Sequence, residues 1–260
     1  MRIRMLTTFL LIFCALLTAC SSLEQAAHPK VTELTPSGFH TKKGGTFPMF
    51  NSVSATGPFN MEFHLETNPS YQNVTRVELQ GDSTLVNAVH YSVSDQTLTM
   101  FMDPDYTYNP YYRVHVDIYV PDISRFYFKG PGNIKITGLN NSHLRVIGNG
   151  DANIYLAGYV QRLDATLTGT SSLNAKCLYT RTIFVNTTDK AQAEVLNNGG
   201  GISALAADKS NIYYYSSPDM VAPYERHSGA IMRMQGIIPP YVTAPKSETI
   251  PEDRIVGGRG

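Results

Sequence analysis

Five short apolar pairs decide the fold: Ile134-Lys135-Ile136, Ile154-Tyr155-Leu156, Leu173-Asn174-Ala175, Ala193-Glu194-Val195 and Ile212-Tyr213-Tyr214. Their first members follow one another at steps of 20, 19, 20 and 19 residues. A second column, Leu144, Leu163, Ile183 and Ile202, steps by 19, 20 and 19. Two columns at a constant offset, each alternating apolar and polar residues, are the mark of stacked β-coils. No coil can bury its apolar face alone, so the core comes from stacking. About five coils at roughly 4.8 Å per rung make a column about 20–25 Å long. The expected fold is all-β, a parallel β-solenoid with coils of about 20 residues and an N-terminal β-region.

In each coil the first strand points Leu144 and Val146, Leu163 and Leu167, or Ile183 and Val185 inward. Phe126 and Phe128 begin the series. Between strands lie Gly130-Pro131-Gly132, Gly148-Asn149-Gly150-Asp151 and Gly169-Thr170-Ser171-Ser172. Glycine at such corners supplies positive φ or close backbone stacking. The first corner reads as two residues shorter than the later ones, which would offset its apolar pair. Cys177 falls at the repeat position of Gly138 and Gly158 and reads as a small buried packing residue.

Upstream, Phe50 to Ser54 and Phe59 to Leu65 alternate around Gly57-Pro58. Val74 to Leu79 is a strand, with a turn at Gly81-Asp82. Leu85 to Val89 is a short strand or one helical turn. Tyr91 to Val93 and Thr97 to Phe101 form a hairpin about Ser94-Asp95-Gln96. Val114, Val116, Ile118 and Val120 share one face of a strand, with Arg113, His115, Asp117 and Tyr119 opposite. Downstream, Tyr213 to Pro218 leads to Gly229 to Met234, a degenerate final coil. Residues 237–260 contain Pro239, Pro240, Pro245 and Pro251 without apolar periodicity and are expected to be disordered.

The N-terminus carries an address. Arg2 and Arg4 precede the apolar Leu6 to Leu17, which is too short for a default membrane span. Leu17-Thr18-Ala19-Cys20 then resembles a lipoprotein signal, so residues 1–19 are expected to be removed and Cys20 lipidated. Ser21 follows Cys20 rather than the Asp that favours inner-membrane retention in enteric bacteria, which points to the outer membrane of a Gram-negative envelope. Residues 20–46 read as a flexible tether, and residues 47–236 as the domain. Cys14 leaves with the signal, so the mature chain keeps only Cys177 besides the lipidated Cys20 and forms no internal disulfide.

Charge sets limits on partners. Lys plus Arg number 21, as do Asp plus Glu, and loss of Arg2 and Arg4 leaves 19 against 21, or −2. No basic cluster suits a nucleic acid.

Several constellations were candidates for chemistry. The loop Asp103-Pro104-Asp105-Tyr106-Thr107-Tyr108-Asn109-Pro110-Tyr111-Tyr112 breaks the β-pattern. Tyr106, Tyr108, Tyr111 and Tyr112 either pack over the end of the solenoid or form an aromatic surface for sugar or protein. Asp103, Asp105 and Asp151 do not make up a calcium loop, which needs six or more oxygens. Asp164 and Glu194 are outward carboxylates but lie on different strand columns, where glycosidic cleavage needs two within several ångströms. His115 and His143 belong to no Ser-His-Asp or His-Glu motif. No cofactor, metal or catalytic residue is expected.

The stretches Ser54 to Met61 and Val114 to Ile123, the corners at Gly130-Pro131-Gly132 and Gly148 to Asp151, and Tyr213 to Pro218 together resemble the head GIN domain family ("putative auto-transporter adhesin") of bacterial surface proteins and lipoproteins. The resemblance spans about Phe47 to Met234. It departs at Gly169-Thr170-Ser171 and Thr187-Thr188-Asp189, where one or both corner glycines are missing, and the tyrosine loop looks like an insertion. It implies a β-solenoid-like fold at the cell envelope, and no catalytic residues. The expected role is non-enzymatic adhesion, with a glycan or an envelope protein as partner. The alternatives are a structural component that self-associates into a homo-oligomer through solenoid ends, and a polysaccharide-active enzyme.

Overall fold

The computed structural model describes residues 32–65, 75–109, 111–216 and 218–235. The expected signal, Cys20 and the expected disordered tail lie outside them. Stacked parallel coils form a β-solenoid of about five turns, about 20 residues apart.

The coils begin after β10 (Arg125–Lys129). Three long strands follow: β11 (Gly132–Gly150), β12 (Ala152–Gly169) and β13 (Ser172–Thr187). Then come β14 (Gln192–Asn197), β15 (Gly201–Ala206), β16 (Asn211–Tyr215), β17 (Met220–Glu225) and β18 (Ala230–Met234). Every contact between successive coils is parallel: Ile134 pairs Ile154, Ile154 pairs Leu173, Leu173 pairs Ala193, and Ala193 pairs Ile212. The second column pairs likewise through Leu144, Leu163, Ile183 and Ile202. The two columns are two sides of the coil. Their inward residues are buried in one continuous core.

A third side joins them. Leu139 pairs Gly158, which pairs Leu178, while Asn141, Val160 and Thr180 form the next row. Leu139, Val160 and Leu178 are buried. The strand pairing therefore runs on around the corner, where two separate strands per coil were expected. Cys177 sits on this side in register with Ala157. It is half-buried, not the buried counterpart of Gly158 that its spacing suggested, because a register shift follows Tyr155.

Phe126 is in register with Val146, and Phe128 with Gly148. The first corner is thus no shorter than the next, contrary to the sequence reading. The apolar pair looks offset because Gly148 has no side chain, and the bulk of Phe128 fills the neighbouring inward position. Phe126 lies edge-on to Phe63 at 5.4 Å and stacks with Phe128 at 6.3 Å.

At the corners after β13 and β15 Asp replaces glycine, but the corner conformation persists. Gly150, Gly169, Asp189 and Asp208 all have positive φ, from 94° down to 61°. Asp tolerates the left-handed region better than most residues. Here it also adds a bond, since Gly169 N donates to Asp189 Oδ2 at 2.8 Å.

The N-terminal cap extends two sides of the column. On one, β3 (Ser52–Thr56) pairs β10 and β7 (Thr97–Met102), and β7 forms the expected hairpin with β6 (Val89–Ser94). Asp95 and Gln96 both have positive φ, the turn geometry that matches strand twist. On the other side, β4 (Phe59–Leu65) pairs β11 and β9 (Val114–Val120). There β9 meets β5 (Thr75–Asp82) antiparallel, and β5 meets β2 (His40–Phe47) antiparallel. The expected tether therefore stops short: residues 40–47 belong to the sheet, and β1 (Thr32–Leu34) pairs β8 (Tyr106–Tyr108). Lys42, Lys43, Gly44 and Gly45 look like linker residues, yet an edge strand needs little from its side chains.

Residues Ser83–Asn87 form a single helical turn, α1, where a strand was the other reading. Asp82 is its N-cap, and its carboxylate accepts from Thr84 N at 2.9 Å, Ser37 N at 3.1 Å and Gly38 N at 2.8 Å. It fastens the incoming chain to the cap.

Candidate functional site

Outward residues on the side built from β9, β4, the N-terminal parts of β11, β12 and β13, and then β14 and β16 stand in straight columns, because parallel register stacks like positions. One column runs His115, Asn60, Asn133, Asn153, Ser172, Gln192 and Asn211. Its members bond to one another. Asn133 N donates to Asn60 Oδ1 at 3.1 Å, Asn153 Nδ2 to Asn133 Oδ1 at 3.2 Å, and Ser172 Oγ to Asn153 Oδ1 at 2.7 Å. The next outward column runs Asp117, Glu62, Lys135, Tyr155, Asn174, Glu194 and Tyr213.

Between them lies a shallow groove of about 490 Å³, lined by Asn60, Glu62, His115, Asn133, Lys135, Asn153, Tyr155 and Asn174, among others. Most of that lining is uncharged and offers both donors and acceptors. Lys135 and Glu62 pair at 2.7 Å, and the hydrogen bond from Lys135 holds the Glu62 carboxyl below its usual range. Repeated amides and an aromatic ring at rung spacing can follow an extended polar chain, hydrogen-bonding its hydroxyls and stacking on its apolar faces.

At the cap end of the groove, Glu62, His115 and Asp117 bring their ligand atoms within 4.8 Å of one another. His64 adds its Nε2 at 2.9 Å from Asp117 Oδ1. The sequence reading noted His115 and Asp117 on one face but missed the cluster. The signal was there in Glu62-x-His64 and His115-x-Asp117, each alternating outward on a strand. What the sequence does not tell is that these two strands are parallel neighbours.

The tyrosine loop does not act as a unit. Tyr108 packs against the core, and burial raises its hydroxyl pKa. Tyr111 is 89% exposed. Tyr106 is exposed on β8, while Tyr112 lines a separate hollow with Pro36, Asp82 and Arg113. Packing and exposure, posed as alternatives for all four rings, divide among them.

Asp164 and Glu194 do not meet. Asp164 lies on the side of Leu163 and Ala165, bonded to Arg162 Nε at 2.8 Å and paired with His143 Nε2 at 2.8 Å. Its burial works against ionisation, but those two partners keep its carboxyl below the ordinary range. Glu194 faces the groove side and pairs with Lys176.

The profile of the family described as "Putative auto-transporter adhesin, head GIN domain" matches residues 49–218. A putative adhesin from Bacteroides fragilis superposes with a TM-score of 0.61 at 16% identity, over 77% of this chain and 100% of that one. A putative lipid binding protein from Parabacteroides distasonis gives 0.47 at 13% identity, over 78% and 100%. A putative adhesin from Parabacteroides merdae gives 0.42 at 16% identity, over 78% and 100%. No curated protein matches the chain. The first superposition establishes a shared fold.

Proposed function

The chain belongs to the "putative auto-transporter adhesin, head GIN domain" family, and on that footing we propose that it is a non-enzymatic adhesion protein that holds an uncharged glycan in the groove along Asn60, Asn133 and Asn153. The observation that carries this reading is the hydrogen-bonded amide column beside Tyr155, repeated at rung spacing. A repeated neutral surface suits a repeated neutral ligand, and each contact contributes modestly while the sum gives affinity. In the same reading Cys20 carries the lipid that anchors the chain in the outer membrane. The basic start, short apolar stretch and Leu17-Thr18-Ala19-Cys20 support that anchor.

A glycan array probed with the purified full chain tests the groove. Wild type binds uncharged glycans; Asn153→Ala with Tyr155→Ala loses binding, and Tyr111→Ser with Tyr112→Ser keeps it. Binding lost only in the Tyr111/Tyr112 variant would move the site to the loop. No binding by wild type would remove the glycan reading.

A second reading, self-association, is favoured by one observation. The final rung exposes Met220, Tyr224, Met232 and Met234 on the last two strands of the column. Concentration-dependent oligomers without ligand, abolished by Tyr224→Lys, would favour it.

A further inference from the structure

We propose that Glu62, His115 and Asp117 form a binding site for a divalent first-row transition ion of the zinc type. Charge singles out this place on the sheet. Glu78, Asp117 and Glu62 are direct neighbours across β5, β9 and β4, so three carboxylates stand in one row. Like charges placed opposite one another across a sheet repel. The outer two are answered by fixed cations. Lys42 Nζ lies 2.7 Å and Arg76 Nε 3.5 Å from Glu78, and Lys135 Nζ lies 2.7 Å from Glu62. The central Asp117 instead faces two imidazoles, His64 Nε2 at 2.9 Å and His115 Nε2 at 3.5 Å. The middle of the row therefore joins negative charge to nitrogen ligands.

The donor types choose the ion. One imidazole and two carboxylates suit zinc and its neighbours, whereas calcium takes six or more oxygens. Ligand atoms on zinc stand about 2.0–2.2 Å from the metal, so pairs of them lie at most about 4.4 Å apart. The three atoms here are within 4.8 Å, and small rotations of surface side chains close the difference. The surroundings are already ordered for the task. His64 stacks on Tyr119 at 4.5 Å, and the Arg76 guanidinium lies over the Tyr119 ring, 3.9 Å from its centroid. His64 thus holds Asp117 Oδ1 and orients the carboxylate, as outer partners of metal ligands do. Glu62 and His115 also line the groove, so open coordination positions would face it. Lys135 is the competitor that an ion must displace from Glu62.

Titration calorimetry of the untagged full chain with ZnCl2 tests this, with circular dichroism of each variant as the check on folding. Wild type binds one ion per chain at the site. Glu62→Gln and His115→Ala each weaken binding about tenfold or more. Lys135→Ala keeps the ligands, removes the competitor and binds more tightly. His143→Ala, which alters another surface His–Asp pair, leaves binding unchanged. Absence of binding by wild type overturns the proposal, as does wild-type affinity in Glu62→Gln or His115→Ala. Weaker binding in Lys135→Ala would also contradict it. None of these outcomes depends on the glycan reading.

Discussion

Gly132 and Ala152 occupy the same register position of successive coils, yet only the second has room for a methyl group. A Cβ at Gly132 would lie 1.9 Å from the Phe59 carbonyl oxygen and 2.9 Å from the Phe128 ring. The first coil is pressed against cap backbone, whereas Ala152 is packed in the core. Gly132→Ala should therefore cost more than about 2 kcal/mol, because backbone must move. Ala152→Gly should cost about 1 kcal/mol through lost burial and added chain entropy. Denaturant unfolding of both variants measures the difference, and equal costs would contradict the tight junction.

The positive φ of Asp189, 61°, makes a second contrast. Asp189→Gly should keep stability close to wild type, since glycine is at ease there and offsets the lost bond to Gly169 N. Asp189→Val should lose about 1–2 kcal/mol, since a β-branched residue is strained in that region. Thermal melts of the two variants decide it.

Asp82 predicts a pH dependence. Burial pushes its carboxyl upward, but the backbone N–H groups of Ser37, Thr84 and Gly38 outweigh that and hold it at about 2, below the usual 3.8. The folded value is depressed, so its stabilisation is complete above about pH 4 and is lost as pH falls through about 2. Asp82→Asn should lower the melting temperature by several degrees at neutral pH, with the gap to wild type closing between pH 4 and 2. A gap that stays constant across that range would contradict the assignment.

The anchor has its own test. Cys20→Ala should leave the precursor uncleaved and unlabelled by radioactive palmitate, while wild type is cleaved and labelled. Unchanged labelling would refute lipidation at Cys20.

Much of the fold was legible because burial in a solenoid is periodic. Ile134, Ile154 and Leu173 must all point inward, and their spacing exposes the coil. The third side escaped notice because its rows keep the step but are not apolar throughout: Gly158 stands between Leu139 and Leu178, and Val160 between Asn141 and Thr180. The cap strand at Lys42 to Gly45 was hidden by its composition, since its stability comes from pairing with β5. The candidate site was the least legible part. Asn60 and Asn133, or Glu62 and His115, meet only through the parallel pairing of distant strands, and the tyrosine loop drew attention through composition alone.

Adhesion requires the groove to face the outside of the cell. Protease added to intact cells measures this directly, with a periplasmic protein as the control for leakage. The domain is expected to be digested while the control survives. A domain protected until the outer membrane is broken would contradict it.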